Sequence, residues 1–88
     1  SFDAVYLLSH FDQLTELDLS STPVSTIKAL RHAMQLEHLS IANTRVSSLK
    51  PLTDLENLKS LSCYNTNISR FHVKRYRELH PDCEIIYY

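Results

Sequence analysis

The amino-acid sequence predicts an α/β solenoid. Its expected parts are a curved parallel β-sheet of about four strands, short 3₁₀ or helical returns on the convex side, and a C-terminal capping helix plus strand. Three observations carry the prediction. The hexad Leu14, Thr15, Glu16, Leu17, Asp18, Leu19 recurs as Leu36, Glu37, His38, Leu39, Ser40, Ile41 and as Leu58, Lys59, Ser60, Leu61, Ser62, Cys63, each copy 22 residues after the last. A fixed period of about 20 to 50 residues is the signature of stacked repeats. The same offset continues beyond the hexads through Thr22, Thr44 and Thr66, then Val24, Val46 and Ile68, then Ile27 with Leu49 and Leu30 with Leu52. Finally, each period changes rhythm half-way, from alternation to a spacing of three, as a strand followed by a tight return requires.

The bulk composition narrows what such a fold can serve. With 88 residues the chain has room for one domain, 1–88, and a chain so short buries a modest share of its surface. Nine Lys and Arg stand against ten Asp and Glu, so no net field attracts nucleic acid or a membrane surface, and neither is expected as a partner. No apolar run approaches the roughly 20 residues that span a bilayer. The sequence contains no Gly. Gly-rich phosphate loops are thereby excluded, and tight turns must rest on Asn, Ser, Thr and Pro.

The elements follow in order. Phe2, Val5, Leu8 and Phe11 anticipate Val24, Ile27, Leu30 and Ala33 by one period, so residues 1–13 read as a partial repeat. The chain begins with Ser in mid-repeat, and upstream repeats or a partner surface are expected to cover that end. Residues 14–68 form three coils, the third incomplete. In the first, Leu17 and Leu19 point inward from a half-buried strand, Pro23 ends the ladder, and Val24, Ile27, Leu30 and Ala33 make the return. In the second, Pro51 fits the first turn of a short helix and forbids a long one. After Ile68 the pattern changes. Ser69 is a helix N-cap, and an amphipathic helix follows, with Phe71, Val73 or Lys74, Tyr76 and Leu79 available for one face, ending before Pro81. The tail is rich in strand formers. Carrying the 22-residue offset on from Leu61 and Cys63 makes Cys83 and Ile85 the inward residues of a fourth strand, with one edge left open.

The recurring Leu-x-x-Leu-x-Leu-x-x-Thr-x-Val pattern resembles the 22-residue leucine-rich repeats of bacterial internalin-like proteins, with Thr where that family more often has Asn. The ending Leu79, His80, Pro81, Asp82, Cys83, Glu84, Ile85 is similar to endings of many bacterial leucine-rich-repeat proteins. The resemblance implies a leucine-rich-repeat solenoid whose curved sheet binds other proteins, with any enzymatic activity in a separate domain. The Thr departure implies a looser turn stack, since a hydroxyl has fewer donors than an amide.

The register then assigns the concave face. Its residues are Glu16, Asp18, Ser20 and Ser21, then His38, Ser40, Ala42 and Asn43, then Ser60, Ser62, Tyr64 and Asn65. Tyr64 is the aromatic among them, and Tyr amid adaptable polar groups is a typical contact composition. The partner-binding set is therefore Glu16, Asp18, His38, Ser40, Asn43, Ser60, Ser62, Tyr64 and Asn65. The expected function is a protein–protein interaction module. The alternative is a structural terminal cap of a longer repeat protein with no binding role of its own, self-associating through the apolar layer of Phe2, Val5 and Leu8.

Other chemistry is weaker. His10, His32 and Asp54 share a register column, but residues in line along a solenoid do not converge on one point as a metal requires, so no metal and no cofactor is expected. Cys63 and Cys83 are read as buried free thiols, because two residues of stagger plus one strand spacing separates them by roughly 8 Å, beyond disulfide reach. The triplet Asn67, Ile68, Ser69 fits the glycosylation pattern, which recurs by chance. Arg70, Lys74, Arg75 and Arg77 make the last helix basic, as a solvated face; a contact with an acidic partner or phosphate is the lesser alternative. His72 and His80 are expected on its surface. No pair of buried carboxylates and no nucleophile with a positioned base emerges, so enzymatic activity is not expected.

Overall fold

Thr22, Thr44 and Thr66 close each coil in the same way. Each hydroxyl donates to the carbonyl three residues back, to Leu19, Ile41 and Cys63 at 2.7, 2.7 and 2.9 Å. Those of Thr44 and Thr66 also accept from the amides of Val46 and Ile68 at 3.4 and 3.3 Å. One short side chain thus turns the chain out of the strand and satisfies its backbone. These bonds stay inside each coil. The turn also needs a left-handed residue, and with no glycine to supply it, Ser21, Asn43 and Asn65 adopt φ of 59°, 59° and 55°. Asn tolerates that region better than most residues, because its side chain bonds locally.

The computed structural model describes residues 14–87. The partial repeat of Phe2, Val5, Leu8 and Phe11, and His10, lie outside them. In chain order the elements are β1 (Glu16–Asp18), a 3₁₀ turn (Lys28–His32), β2 (His38–Ser40), a second 3₁₀ turn (Lys50–Leu52), β3 (Ser60–Ser62), α1 (Arg70–Leu79) and β4 (Glu84–Ile86). The four strands form one sheet in the order β1-β2-β3-β4, and every pair is parallel. Each strand has only three regular residues, fewer than the hexads suggest. The backbone ladder nonetheless continues to residue 43, through Leu19 to Ser40, Ser21 to Ala42, Ile41 to Ser62 and Asn43 to Tyr64, at 2.8 to 3.1 Å.

Between sheet and returns lies a core of aliphatic columns one coil apart. Leu30, Leu36, Ile41, Leu52, Leu55, Leu61 and Cys63 are fully buried. Leu17, in the first coil, is only partly buried. The Pro51 position fits its conformation: it falls in the first turn of the second 3₁₀ segment, where a missing N–H costs nothing.

Two expectations about the cap require correction. The 22-residue offset does not reach β4. Leu61 is paired with Ile85, and Ser60 and Ser62 with Glu84 and Ile86, so the last coil spans 24 residues. An α-helix rises about 1.5 Å per residue against about 2.0 Å for a 3₁₀ helix. The ten-residue α1 therefore uses more chain to cover the same return, and Cys83 falls before the strand instead of opposite Leu61. Ile85 remains inward and half-buried. The helix also rests on a narrower stripe than its sequence suggests. Ser69 caps it by accepting from His72 N–H at 3.2 Å, and Val73 and Tyr76 are buried, but Phe71 and Leu79 are 63% and 60% exposed.

The cap is tied down by polar bonds. Tyr76 donates its hydroxyl to the Leu52 carbonyl at 3.1 Å. Tyr87 donates to the Ile68 carbonyl at 2.7 Å. His80, expected as a plain surface residue, stacks on Tyr76 with ring centroids 4.4 Å apart and donates from Nε2 to the Thr53 carbonyl at 2.9 Å.

Candidate protein-binding face

Parallel pairing sets the outward side chains of the sheet in rows. Glu16, His38, Ser60 and Glu84 stand level with one another, and so do Asp18, Ser40, Ser62 and Ile86. Rows in a parallel sheet repeat at about 4.8 Å, so neighbours can bond across coils. His38 Nδ1 and the Ser60 hydroxyl are 2.8 Å apart. Three residues beyond β2 and β3, Asn65 donates its amide to the Asn43 side-chain oxygen at 2.6 Å. Together β1, β2 and β3 enclose a shallow concavity of about 420 Å³, which Glu16, Asp18, His38, Ser40, Ser60 and Ser62 line without any Lys or Arg.

Local bonds hold the charge on this face. Asp18 accepts from the Ser20 amide at 2.9 Å and from its hydroxyl. Those bonds, the hydroxyl first, hold its carboxyl below the usual carboxylate range. At the rim Lys59 pairs with Glu37 at 3.6 Å, the only ion pair among the described residues.

The structure brings all nine residues expected on this face to neighbouring coils of one sheet. It adds Glu84 and Ile86, which face outward as alternation from the inward Cys83 and Ile85 already implies; the longer last coil moves each by two residues, level with Ser60 and Ser62. Ala42, by contrast, is not a contact residue. It is 0% exposed, a methyl between the Ser20 and Tyr64 positions of the flanking coils. Tyr64 and Ile86 are 40% and 42% exposed; Ile86 ends β4 level with Ser62, and Tyr64 lies in the turn two residues beyond β3.

Elsewhere the chemistry is quiet. No group of three His, Cys, Asp or Glu among the described residues is placed to hold a metal ion. His32 Nε2 accepts from Arg31 Nε at 3.3 Å. Cys63 and Cys83 are buried free thiols. Cys83 lies just before β4, out of step with Cys63. Burial pushes the Cys63 thiol up to about 11 and raises that of Cys83, where the nearby Glu84 adds to the effect. Thiols kept protonated in this way are poor nucleophiles and poor metal ligands. Arg70, Lys74, Arg75 and Arg77 are exposed on α1. No described helix is long and apolar enough to cross a membrane.

Residues 35–74 match the family model described as leucine rich repeats, two copies, which is the stretch from the second coil into α1. A solved leucine-rich-repeat protein of Leptospira interrogans is 28% identical, with a TM-score of 0.78 over 89% of this chain. The structure of internalin C2 from Listeria monocytogenes superposes with a TM-score of 0.81 over 91% of the chain at 26% identity. The chain folds as a leucine-rich-repeat solenoid and is similar in that fold to internalins. A second Listeria monocytogenes internalin, at 19% identity and a TM-score of 0.77 over 90% of the chain, shares the fold. No curated protein sequence matches it. The leucine-rich-repeat chain spans 20%, 34% and 23% of the lengths of these three structures. Solenoids of this kind typically act as protein-interaction scaffolds, because stacking small repeats produces an extended concave surface.

Proposed function

We propose that this leucine-rich-repeat chain is a non-enzymatic protein-interaction module that binds its partner on the concave face of the sheet. The observation that carries the reading is the joint exposure of Tyr64 and Ile86, 40% and 42%, on one face otherwise made of small polar and acidic side chains. Exposed large apolar side chains cost solvation free energy, and a sheet face that keeps two of them together is best explained by a partner that covers them. Around them Asn43, Asn65, Ser40 and Ser62 supply adaptable hydrogen bonding, and Glu16, Asp18 and Glu84 supply negative charge.

The His38 and Ser60 contact, with Glu16 in the same row, does not read as a catalytic arrangement. Ser60 sits on an extended strand whose amides are committed to the ladder, as the bond from Ser60 N–H to the Glu37 carbonyl shows. No pair of free N–H groups is left there to stabilise an oxyanion.

A second reading is that the chain is a structural terminal cap of a longer repeat protein, without a binding role of its own. It is favoured by the bonds from Tyr76, His80 and Tyr87 that pin α1 and β4 to the preceding coils. The two readings separate by experiment. A partner recovered by affinity capture should be bound at least about tenfold more weakly by Tyr64→Ala and His38→Ala, at an unchanged melting temperature. If neither substitution alters the affinity of any recovered partner, the concave face is not the contact surface.

A further inference from the structure

The described residues expose five large hydrophobic side chains, Met34, Tyr64, Phe71, Leu79 and Ile86. Tyr64 and Ile86 belong to the concave face. The other three belong to a second surface around α1, where the two hollows that share Leu79 carry opposite charge, and Lys50 and Asp54 meet in a third hollow beside them. On one side of Leu79 lies a hollow of about 550 Å³ walled by Lys50, Phe71, His72 and Arg75, with no carboxylate in its lining. On the other side lies a hollow of about 760 Å³ walled by Met34, Asp54, Glu56 and Asp82, with no Lys or Arg. Leu79 and Thr53 line both hollows and so form the ridge between them. None of these charged side chains makes an ion pair with another described residue, since the only such pair is Lys59 with Glu37.

We infer that this surface docks a second copy of the chain about a two-fold axis passing near Leu79. The argument is one of self-complementarity. An isologous interface uses the same patch on both subunits, so whatever lies on one side of the axis faces what lies on the other. A patch ordered basic hollow, apolar ridge, acidic hollow meets this condition. Rotation by a half-turn lays Lys50 and Arg75 of each copy over Asp54, Glu56 and Asp82 of the other. The same rotation brings the two Leu79 side chains together at the centre, with Phe71 and Met34 covered on either side. A different partner would need an independently evolved patch of matching polarity, whereas a second copy has one by construction. The helix surface explains its own composition in the same terms: α1 spends Val73 and Tyr76 on its own core and leaves Phe71 and Leu79 for the contact.

Charge exchange tests the arrangement. Sedimentation equilibrium of the full 88-residue chain should show a monomer–dimer equilibrium that weakens as salt is raised. Lys50→Glu with Arg75→Glu makes both hollows acidic, and Asp54→Lys with Asp82→Lys makes both basic. Each double variant alone should dimerise at least about tenfold more weakly than the parent, and an equimolar mixture of the two should recover the parent affinity to within about threefold. Circular dichroism confirms folding of each variant. As an independent readout, Leu79→Cys should cross-link rapidly to a dimer under mild oxidation, while Ser47→Cys should not. A chain that stays monomeric throughout overturns the proposal. So does a dimer unaffected by both charge variants, as association through Phe2, Val5 and Leu8 would be, or a mixture no tighter than its components.

Discussion

Thr44 is 7% exposed, and its hydroxyl is the donor to the Ile41 carbonyl and the acceptor for Val46 N–H. Thr44→Val keeps the shape and strips both bonds, leaving a buried carbonyl and amide without partners. A loss of about 1–2 kcal/mol is expected in urea unfolding, and Thr66→Val, at a less buried position, should cost less. Cys63 makes a prediction about pH. Its folded thiol is raised to about 11 from an ordinary value of 9.0, chiefly by burial. Between those values the unfolded chain releases the proton while the folded chain keeps it, so unfolding is favoured as pH rises. The contribution is fully present below pH 9 and is lost through the window above it. Chemical denaturation midpoints should therefore be flat from pH 7 to 9 and fall from 9 to 11, and Cys63→Ala should flatten that fall. Native thiols should resist alkylation until the chain unfolds.

At the scale of elements, the helix carries the most testable physics. Ser69→Ala removes the only side chain seen to accept an amide bond at the α1 N-terminus and should cost about 1 kcal/mol. Tyr76→Phe leaves the ring in the core but deprives the Leu52 carbonyl of its donor, a similar cost by thermal unfolding. The effects should be partly coupled to those of His80→Ala, because the His80 ring stacks on Tyr76 and its Nε2 reaches Thr53 next to Leu52. A double-mutant cycle would measure that coupling.

For the whole molecule, stability is a sum over neighbouring coils, since each repeat touches mainly the next. Leu52 lies in the middle of the stack, 0% exposed, between the first return and the cap. Leu52→Ala should cost about 2–5 kcal/mol and show as a large fall in the urea midpoint. The two exposed apolar surfaces are on different sides of this stack, so a concave-face variant such as Tyr64→Ala and a ridge variant such as Leu79→Glu should affect partner binding and self-association separately.

The repeat itself was legible in the sequence because its cause is local and periodic. A coil of fixed length places the same side chain at the same depth every 22 residues, so the strands, the 3₁₀ returns, the Thr turns and the N-cap at Ser69 could all be read from spacing. The shared side of Glu16, Asp18, His38, Ser40, Ser60 and Ser62 came with them, since alternation on a strand decides which side a residue faces, whereas Asn43, Tyr64 and Asn65 lie in the turns beyond the strands. What the sequence could not decide lay where the period breaks. The length of the return through α1, and hence the pairing of Leu61 with Ile85 and the rows in which Glu84 and Ile86 stand, depends on how far a ten-residue helix reaches across the core. The exposure of Phe71 and Leu79 and the burial of Ala42 depend in the same way on neighbours distant in sequence. Periodicity reports where a side chain points, but only packing of one coil against the next decides what covers it.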